Sequence, residues 1–369
     1  MTSLPGYWQT YLPSKIQTVK ALQTEDTFSF IMLADIHYTQ PPASLAPKLA
    51  DVIMNACGIP YAILAGDVQT RRCRPDKETV LSDWEVIEKM LSPIRNRLLQ
   101  TEGNHDCVYG KLDRDGNGQI DNQYANGAPK PPHLRETYVY SFTPEEIYRR
   151  IYSKVEKIPG VHFSENRCAY YIDDPVGKVR YIGLNTQCNE YALQPDGTAK
   201  YPKMWLYRFT QPQFDFLIQE ALTQNLTEEY AVVVFGHCPL LAKGLGDGEL
   251  MRGVLTAYRN KTAFRGAYPG TSESVYDAVS VDVDFSKAKG ELVGYFAGHV
   301  HQDTHKCTDS VNCVTTRCDG HNENTPEDKE VRISGTVSEC SFDVFTVNKA
   351  TRTVYVTKIG AGQDREFAY

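Results

Sequence analysis

The chain has 369 residues, 41% of them hydrophobic and 23% charged, which is ordinary for a soluble globular protein and excludes disordered, collagen-like and coiled-coil chains. No apolar run approaches the ~18 residues of a membrane span, and the start of the chain lacks the basic and apolar stretches of a secretory signal, so a cytoplasmic location with no membrane partner is expected. The net charge of −7 argues against broad nucleic-acid binding, and ten cysteines are too sparse for a disulfide scaffold.

In chain order, apolar runs rich in β-branched and aromatic residues occur at 28–34, 61–65, 179–184, 231–235 and 292–297, each of strand length. Their near-continuous apolar character is that of strands buried on both faces. Helices are expected over 79–91 and 211–223. A further helix is expected to follow Thr143, where Pro144 and Glu146 supply an N1 proline and a capping-box partner ahead of Ile147, Ile151 and Val155. Residues 331–359 read as strands joined by a turn at 348–351. The alternation points to an α/β architecture. With no repeat or linker in evidence, a single domain over 1–369 is expected, carrying insertions at about 107–160 and 239–290.

Polar residues of metal-binding type follow these runs. The first ends in Asp35 and His37, the second in Gly66-Asp67, and Leu98-Leu99 leads to Glu102-Gly103-Asn104-His105-Asp106. The fourth ends in Gly236-His237 and the fifth in Gly298-His299-Val300-His301. Five strands are thereby expected to deliver these residues to one carboxyl edge of a sheet, where open α/β sheets bind ligands. Carboxylates, imidazoles and one amide suit divalent Zn, Mn or Fe without any thiolate. Seven candidate ligands exceed the needs of one ion, and a carboxylate can bridge two. Chance appearance of Gly-Asn-His-Asp in a chain this long is on the order of one in a thousand.

This series resembles the signature of the calcineurin-like metallophosphoesterase superfamily: Asp-x-His, Gly-Asp, Gly-Asn-His-Asp, Gly-His and Gly-His-x-His, here spanning Asp35 to His301. The resemblance implies a four-layer αββα sandwich of two packed mixed sheets with a dinuclear site at the strand ends. It implies that Asp35, His37, Asp67 and His301 bind one metal, that Asp67, Asn104, His237 and His299 bind the other, and that Asp67 bridges them. The implied activity is hydrolysis of a small-molecule phosphomonoester or phosphodiester. His105 is expected to protonate the leaving oxygen, Asp106 to orient its ring, and Asn104 also to touch the substrate phosphate. A nuclease or nucleotide pyrophosphatase, and a non-catalytic metal-binding module, are the alternatives. Two departures from relatives stand out: Gln69 and Thr70 follow Asp67 with no second acid, and Cys238 follows His237.

Three further signals remain. Asp113, Asp115, Asn117 and Asp121, with Gly118, resemble the start of an EF-hand loop, a candidate structural Ca²⁺ site, but Tyr124 stands where the bidentate glutamate belongs. Cys307, Cys313 and Cys318, flanked by His305 and His321, match no common zinc spacing. Lys243, Arg252, Arg259, Lys261 and Arg265, with Tyr258, Phe264 and Tyr268, form either a wall for an anionic substrate or a solvated insertion.

Overall fold

A computed structural model describes residues 4–38, 43–69, 76–109, 140–193, 195, 197, 199–201, 203, 206–242, 244–270, 278–320 and 331–369. The calcium-like loop and His321 lie outside these residues.

Two mixed sheets form the centre. In the first, the strand Thr27–Leu33 pairs in parallel with Ala62–Ala65, which pairs in parallel with Leu98–Thr101. Its other edge continues antiparallel through Ser341–Asn348, Thr353–Gly360 and Arg365–Ala368. In the second sheet Val179–Leu184, Ala231–Phe235, Glu291–Ala297 and Val311–Thr315 are parallel neighbours. Antiparallel partners close it, with Thr304–Thr308 on one side and Ala169–Asp174 and His162–Phe163 on the other. The five apolar runs are thus strands, two in the first sheet and three in the second, while the five ligand-bearing strand ends, with Leu98–Thr101 in place of Val179–Leu184, divide three and two. The site therefore sits where two carboxyl edges meet, not along one. The reason is that the fully apolar strands face two ways: inward to the opposite sheet and outward to helices.

The inward faces meet through aromatic rings. Phe30 and Phe345 of the first sheet stack at 5.0 Å, and Phe296 of the second stands edge-on to both, at 5.3 and 5.1 Å. Such geometry adds to the area term of burying the rings. Helices Gly6–Leu22, Ala46–Cys57 and Lys77–Leu91 pack on the first sheet's side, where their buried residues join one apolar cluster with both inner faces. Gln211–Phe216 and Gly248–Asn260 cover the second sheet's outer face in a separate cluster. The result is the αββα sandwich that the resemblance implied.

Local signals explain the helix boundaries. Asp76 caps Lys77–Leu91 by accepting from the Thr79 amide at 2.7 Å, and Thr143 and Glu146 form the expected reciprocal cap on Pro144–Arg150. That helix breaks at Ile151 (φ −110°, ψ −72°) before a turn at Tyr152–Val155, and Gln211–Phe216 passes into a π-helical turn at Leu217–Ala221. Helix Gly6–Leu22 was not anticipated: Pro13 lies inside it and argues locally against a helix. Burial of Trp8, Leu12, Ile16 and Val19 on one face outweighs that.

The insertion cations are spent locally. Arg252 pairs with Asp309, Arg265 with Asp282, Arg259 donates to the Leu292 carbonyl and Lys261 to the Gly290 carbonyl. The cations are thus held by the protein's own groups, and Tyr258 is fully buried in the second apolar cluster, so the segment is part of a packed layer and not a solvated insertion; Lys243 lies outside the described residues. Cys307 and Cys313 are reduced thiols on neighbouring hairpin strands, and His305 stacks on Phe367, so these residues assemble no zinc site.

Candidate metal centre

Each strand end passes into a loop that still bonds to its neighbour. The His37 amide donates to the Asp67 carbonyl (3.0 Å), the Tyr38 amide to Val68 (2.9 Å) and the Gly298 amide to His237 (3.0 Å), so the loops extend the sheets rather than leave them. Asp35, His37, Asp67, His299 and His301 all adopt positive φ, between 47° and 70°. For residues with a Cβ this costs on the order of 1–3 kcal/mol each and is found mainly at functional sites. At Gly103 the constraint is space: a Cβ there would lie 2.2 Å from both the amide nitrogen and Oδ1 of Asp67.

Asp106 makes this loop cluster rigid. Its Oδ2 accepts from the amides of Asp67 and Gly103, and its Oδ1 from those of Val68 and Gln69, all at 2.9 Å. The expectation that Asp106 orients the His105 ring is therefore corrected: both oxygens are consumed by backbone donors, and the side chain braces two loops. Burial and then the Asp67 carboxylate push its pKa up to about 7 against those four donors, which require the ionised form.

The candidate ligands assemble in two overlapping groups. In one, His37 Nε2 and His301 Nε2 are 3.1 Å apart, and Asp35 Oδ1 lies 3.4 Å from the latter. Asp35, His37 and Asp67 offer ligand atoms within 4.8 Å of one another. In the other, His237 Nε2 meets Asn104 Oδ1 at 2.8 Å, Asp67 Oδ2 at 3.2 Å and His299 Nδ1 at 3.2 Å. His299 Nδ1 is 3.0 Å from Asn104 Oδ1. Asp67 is common to both, as a bridging carboxylate must be.

Two imidazole tautomers follow from backbone carbonyls, which only accept. His237 Nδ1 donates to the Ala65 carbonyl at 2.7 Å and His37 Nδ1 to the Gln69 carbonyl at 3.3 Å, so each points its Nε2 inward. A carbonyl partner of this kind is the usual orienting device of metal-binding histidines. Asp35 Oδ1 is buried and, among the described residues, has no hydrogen-bond partner, while its Oδ2 accepts from the His299 amide at 2.9 Å.

The charge balance is that of a cation site. Burial opposes ionisation of Asp67, yet His237 and His105 outweigh it and hold its carboxyl well below the usual range. Burial likewise opposes charge on His237, but Asp67 prevails and pushes its pKa up to about 9. Burial, then the charge on His237, holds His299 down to about 3, and burial, then His105, lowers His37 well below the normal imidazole value. Imidazolium charge thus stands among inward acceptors, where divalent ions would serve them better. The donor set fits two of them.

His105 stands beside this cluster. Its amide donates to Asp67 Oδ1 at 2.7 Å, its ring lies edge-on to His37 at 5.0 Å, and its Nε2 is 3.9 Å from Asp67 Oδ2, beyond hydrogen-bonding range. Two neighbours, Tyr207 and Lys203, gave no sequence signal as site residues. Tyr207 sets its ring against His299 at 5.0 Å, and buried Lys203 pairs with Glu102 at 3.2 Å behind the Gly103-Asn104 turn. Cys318 lies beside His37 and His301. Cys238, whose Sγ likewise lies within 4.8 Å of ring nitrogens of His237 and His299, is packed in the second apolar cluster, and burial pushes its thiol pKa well up.

No protein-family model matches the chain, and no curated protein matches it by sequence. By structure it is similar to a dimetal phosphatase from Danio rerio, with 10% identity, 93% of this chain and 99% of that chain covered, and a TM-score of 0.49. It is also similar to GAP50, the anchor in the inner membrane complex of Plasmodium (12% identity, 93% and 88% covered, TM-score 0.42). A third is a conserved uncharacterized protein, a predicted phosphoesterase, from Streptococcus pneumoniae TIGR4 (8% identity, 93% and 98% covered, TM-score 0.31). No residue of this chain takes its role from these likenesses. Among the described residues no helix is long and apolar enough to cross a membrane.

Proposed function

We propose that this chain is a dinuclear metal-dependent phosphoesterase of the calcineurin-like kind, hydrolysing a small phosphomonoester or phosphodiester. The observation that carries the reading is the convergence of seven ligand-type side chains from five strand ends into two groups that share the Asp67 carboxylate. Asp35, His37, Asp67 and His301 would hold one divalent ion, and Asp67, Asn104, His237 and His299 the other.

Two ions so held would supply an acidified water as nucleophile and would offset the charge of the phosphoryl oxygens. The remaining work belongs to side chains. Asn104 turns Oδ1 toward His237 and His299, and its amide Nδ2 is the group assigned to a phosphoryl oxygen. His105, fixed through its backbone to Asp67 but not in bonding range of it through the ring, is the assigned donor of a proton from Nε2 to the departing oxygen. Asp106 holds the two loops that present both groups.

The test is metal analysis coupled to a panel of monoesters, diesters, nucleotides and pyrophosphates with added Mn²⁺. Two ions per chain with turnover of at least one small ester is the expected result. No metal uptake after supplementation would leave a binding module that keeps only the fold.

A further inference from the structure

We propose that Cys318 is a ligand of the first metal position, giving Asp35, His37, Asp67 and His301 a thiolate companion and that position a preference for zinc or ferrous iron over manganese. The inference rests on the dinuclear reading and concerns which atoms meet one of its two ions.

The geometry comes from how the chain returns to the site. After the strand Val311–Thr315, the Asp319 amide donates to the Ala34 carbonyl and the Gly320 amide to the Asp35 carbonyl, both at 3.1 Å. The segment is thereby laid across the backbone of a ligand, with Cys318 facing in. Its Sγ is 3.0 Å from the Asp35 carbonyl oxygen, and Sγ and ring nitrogens of His37 and His301 all lie within 4.8 Å of one another. One ion at ordinary zinc distances, about 2.0–2.1 Å to nitrogen and ~2.3 Å to sulfur, holds a nitrogen and a sulfur no more than ~4.4 Å apart, so the group is near ligating spacing and closes on the ion as it binds.

A second observation points to the same place independently. Asp35 Oδ1, buried and without a hydrogen-bond partner among the described residues, is 3.4 Å from His301 Nε2 and 3.8 Å from His37 Nε2. A carboxylate oxygen left in this way among imidazole nitrogens calls for a cation. Packing does not account for Cys318 either. It is 2% exposed but belongs to neither apolar cluster, whereas Cys238 is part of the second.

Ligation is balanced simply: the metal–sulfur bond forms as the thiol proton leaves to solvent, and the hydrogen bond to the Asp35 carbonyl is given up. Arg332 fixes the segment's backbone, its guanidinium donating to the Cys318 carbonyl at 2.9 Å and the Asp319 carbonyl at 2.7 Å. Thiolates select zinc and iron, while the second group as assigned, two oxygens and two imidazole nitrogens, suits manganese equally well.

The experiment loads the full-length protein with Co²⁺ and reads the near-ultraviolet sulfur-to-cobalt charge-transfer band, alongside metal content. The expected result is a band in the unmutated protein that is lost in Cys318→Ser and kept in Cys238→Ser. In parallel, X-ray absorption of the zinc-loaded unmutated protein is expected to contain a zinc–sulfur path at ~2.3 Å, which decides the matter even if the serine variant does not fold. Two bound ions with no sulfur signal, or a band that survives in Cys318→Ser or disappears in Cys238→Ser, would overturn the assignment and leave the dinuclear reading intact. Failure to bind two ions at all would overturn that reading itself.

Discussion

Asp106→Asn separates a structural brace from a catalytic partner. The carboxylate accepts four buried amides in two pairs, one pair per oxygen. An asparagine keeps one acceptor oxygen and turns an NH₂ group toward the other pair, so two buried N–H groups lose their acceptor and face a donor. Each such loss costs about 1–3 kcal/mol, so the substitution is expected to destabilise the protein by about 2–6 kcal/mol. Asp106→Ala strips all four donors, but it also opens space for water, so its cost is not expected to be twice as large. The assay is urea unfolding of the metal-free proteins at neutral pH, followed by metal titration. A midpoint drop with weakened uptake of both ions is the expected outcome, because the Asp67 and Asn104 loops are the ones released. If Asp106→Asn unfolds within about 1 kcal/mol of the parent yet loses turnover, the bracing argument is wrong and Asp106 acts on His105.

Other perturbations address single groups. Asp67→Asn removes the shared carboxylate and is expected to abolish turnover and lower occupancy at both positions, read by metal analysis after dialysis; loss of one ion only would deny it the bridging role. For His105→Ala, the loss in kcat/KM should be ~10²–10⁴-fold on alkyl phosphates and small on nitrophenyl esters, whose leaving group needs no proton. Equal losses on both classes, with lost metal, would make His105 a ligand or prop. Lys203→Met strands the buried Glu102 carboxylate with Asn185, which donates to it at 2.8 Å, and should cost about 3–5 kcal/mol in thermal or urea unfolding. Adding Glu102→Gln should recover much of that loss, and no recovery would show that Lys203 acts by packing alone.

The strands were legible because burial on both faces writes an uninterrupted apolar run, and 179–184 and 231–235 coincide with the observed strands at both ends. Their division between two sheets was not legible from the runs, since a doubly buried strand reads the same whichever partner covers it. The ligand residues were legible because each directly follows such a run. Asp106 was misread for a related reason: adjacency to His105 in sequence suggests a side-chain partner, whereas the turn directs its carboxylate back to the amides of Gly103 and Asp67. Cys318, Lys203 and Tyr207 reach the site through long-range returns of the chain. No local pattern encodes those.

The three-and-two division of strand ends also has a consequence for the order of events in folding. The first sheet alone presents Asp35, His37, Asp67 and Asn104, and the second alone presents His237, His299 and His301. Neither set closes both positions, so an ion finds its complete surroundings only once the sheets have docked through Phe30, Phe296 and Phe345. These contacts join distant parts of the chain, as does the pairing of Thr27–Leu33 with Ser341–Asn348 inside the first sheet, and such non-local contacts form slowly. Metal uptake therefore requires both sheets to be in place, and its rate in a refolding experiment is expected to be limited by the formation of these long-range contacts.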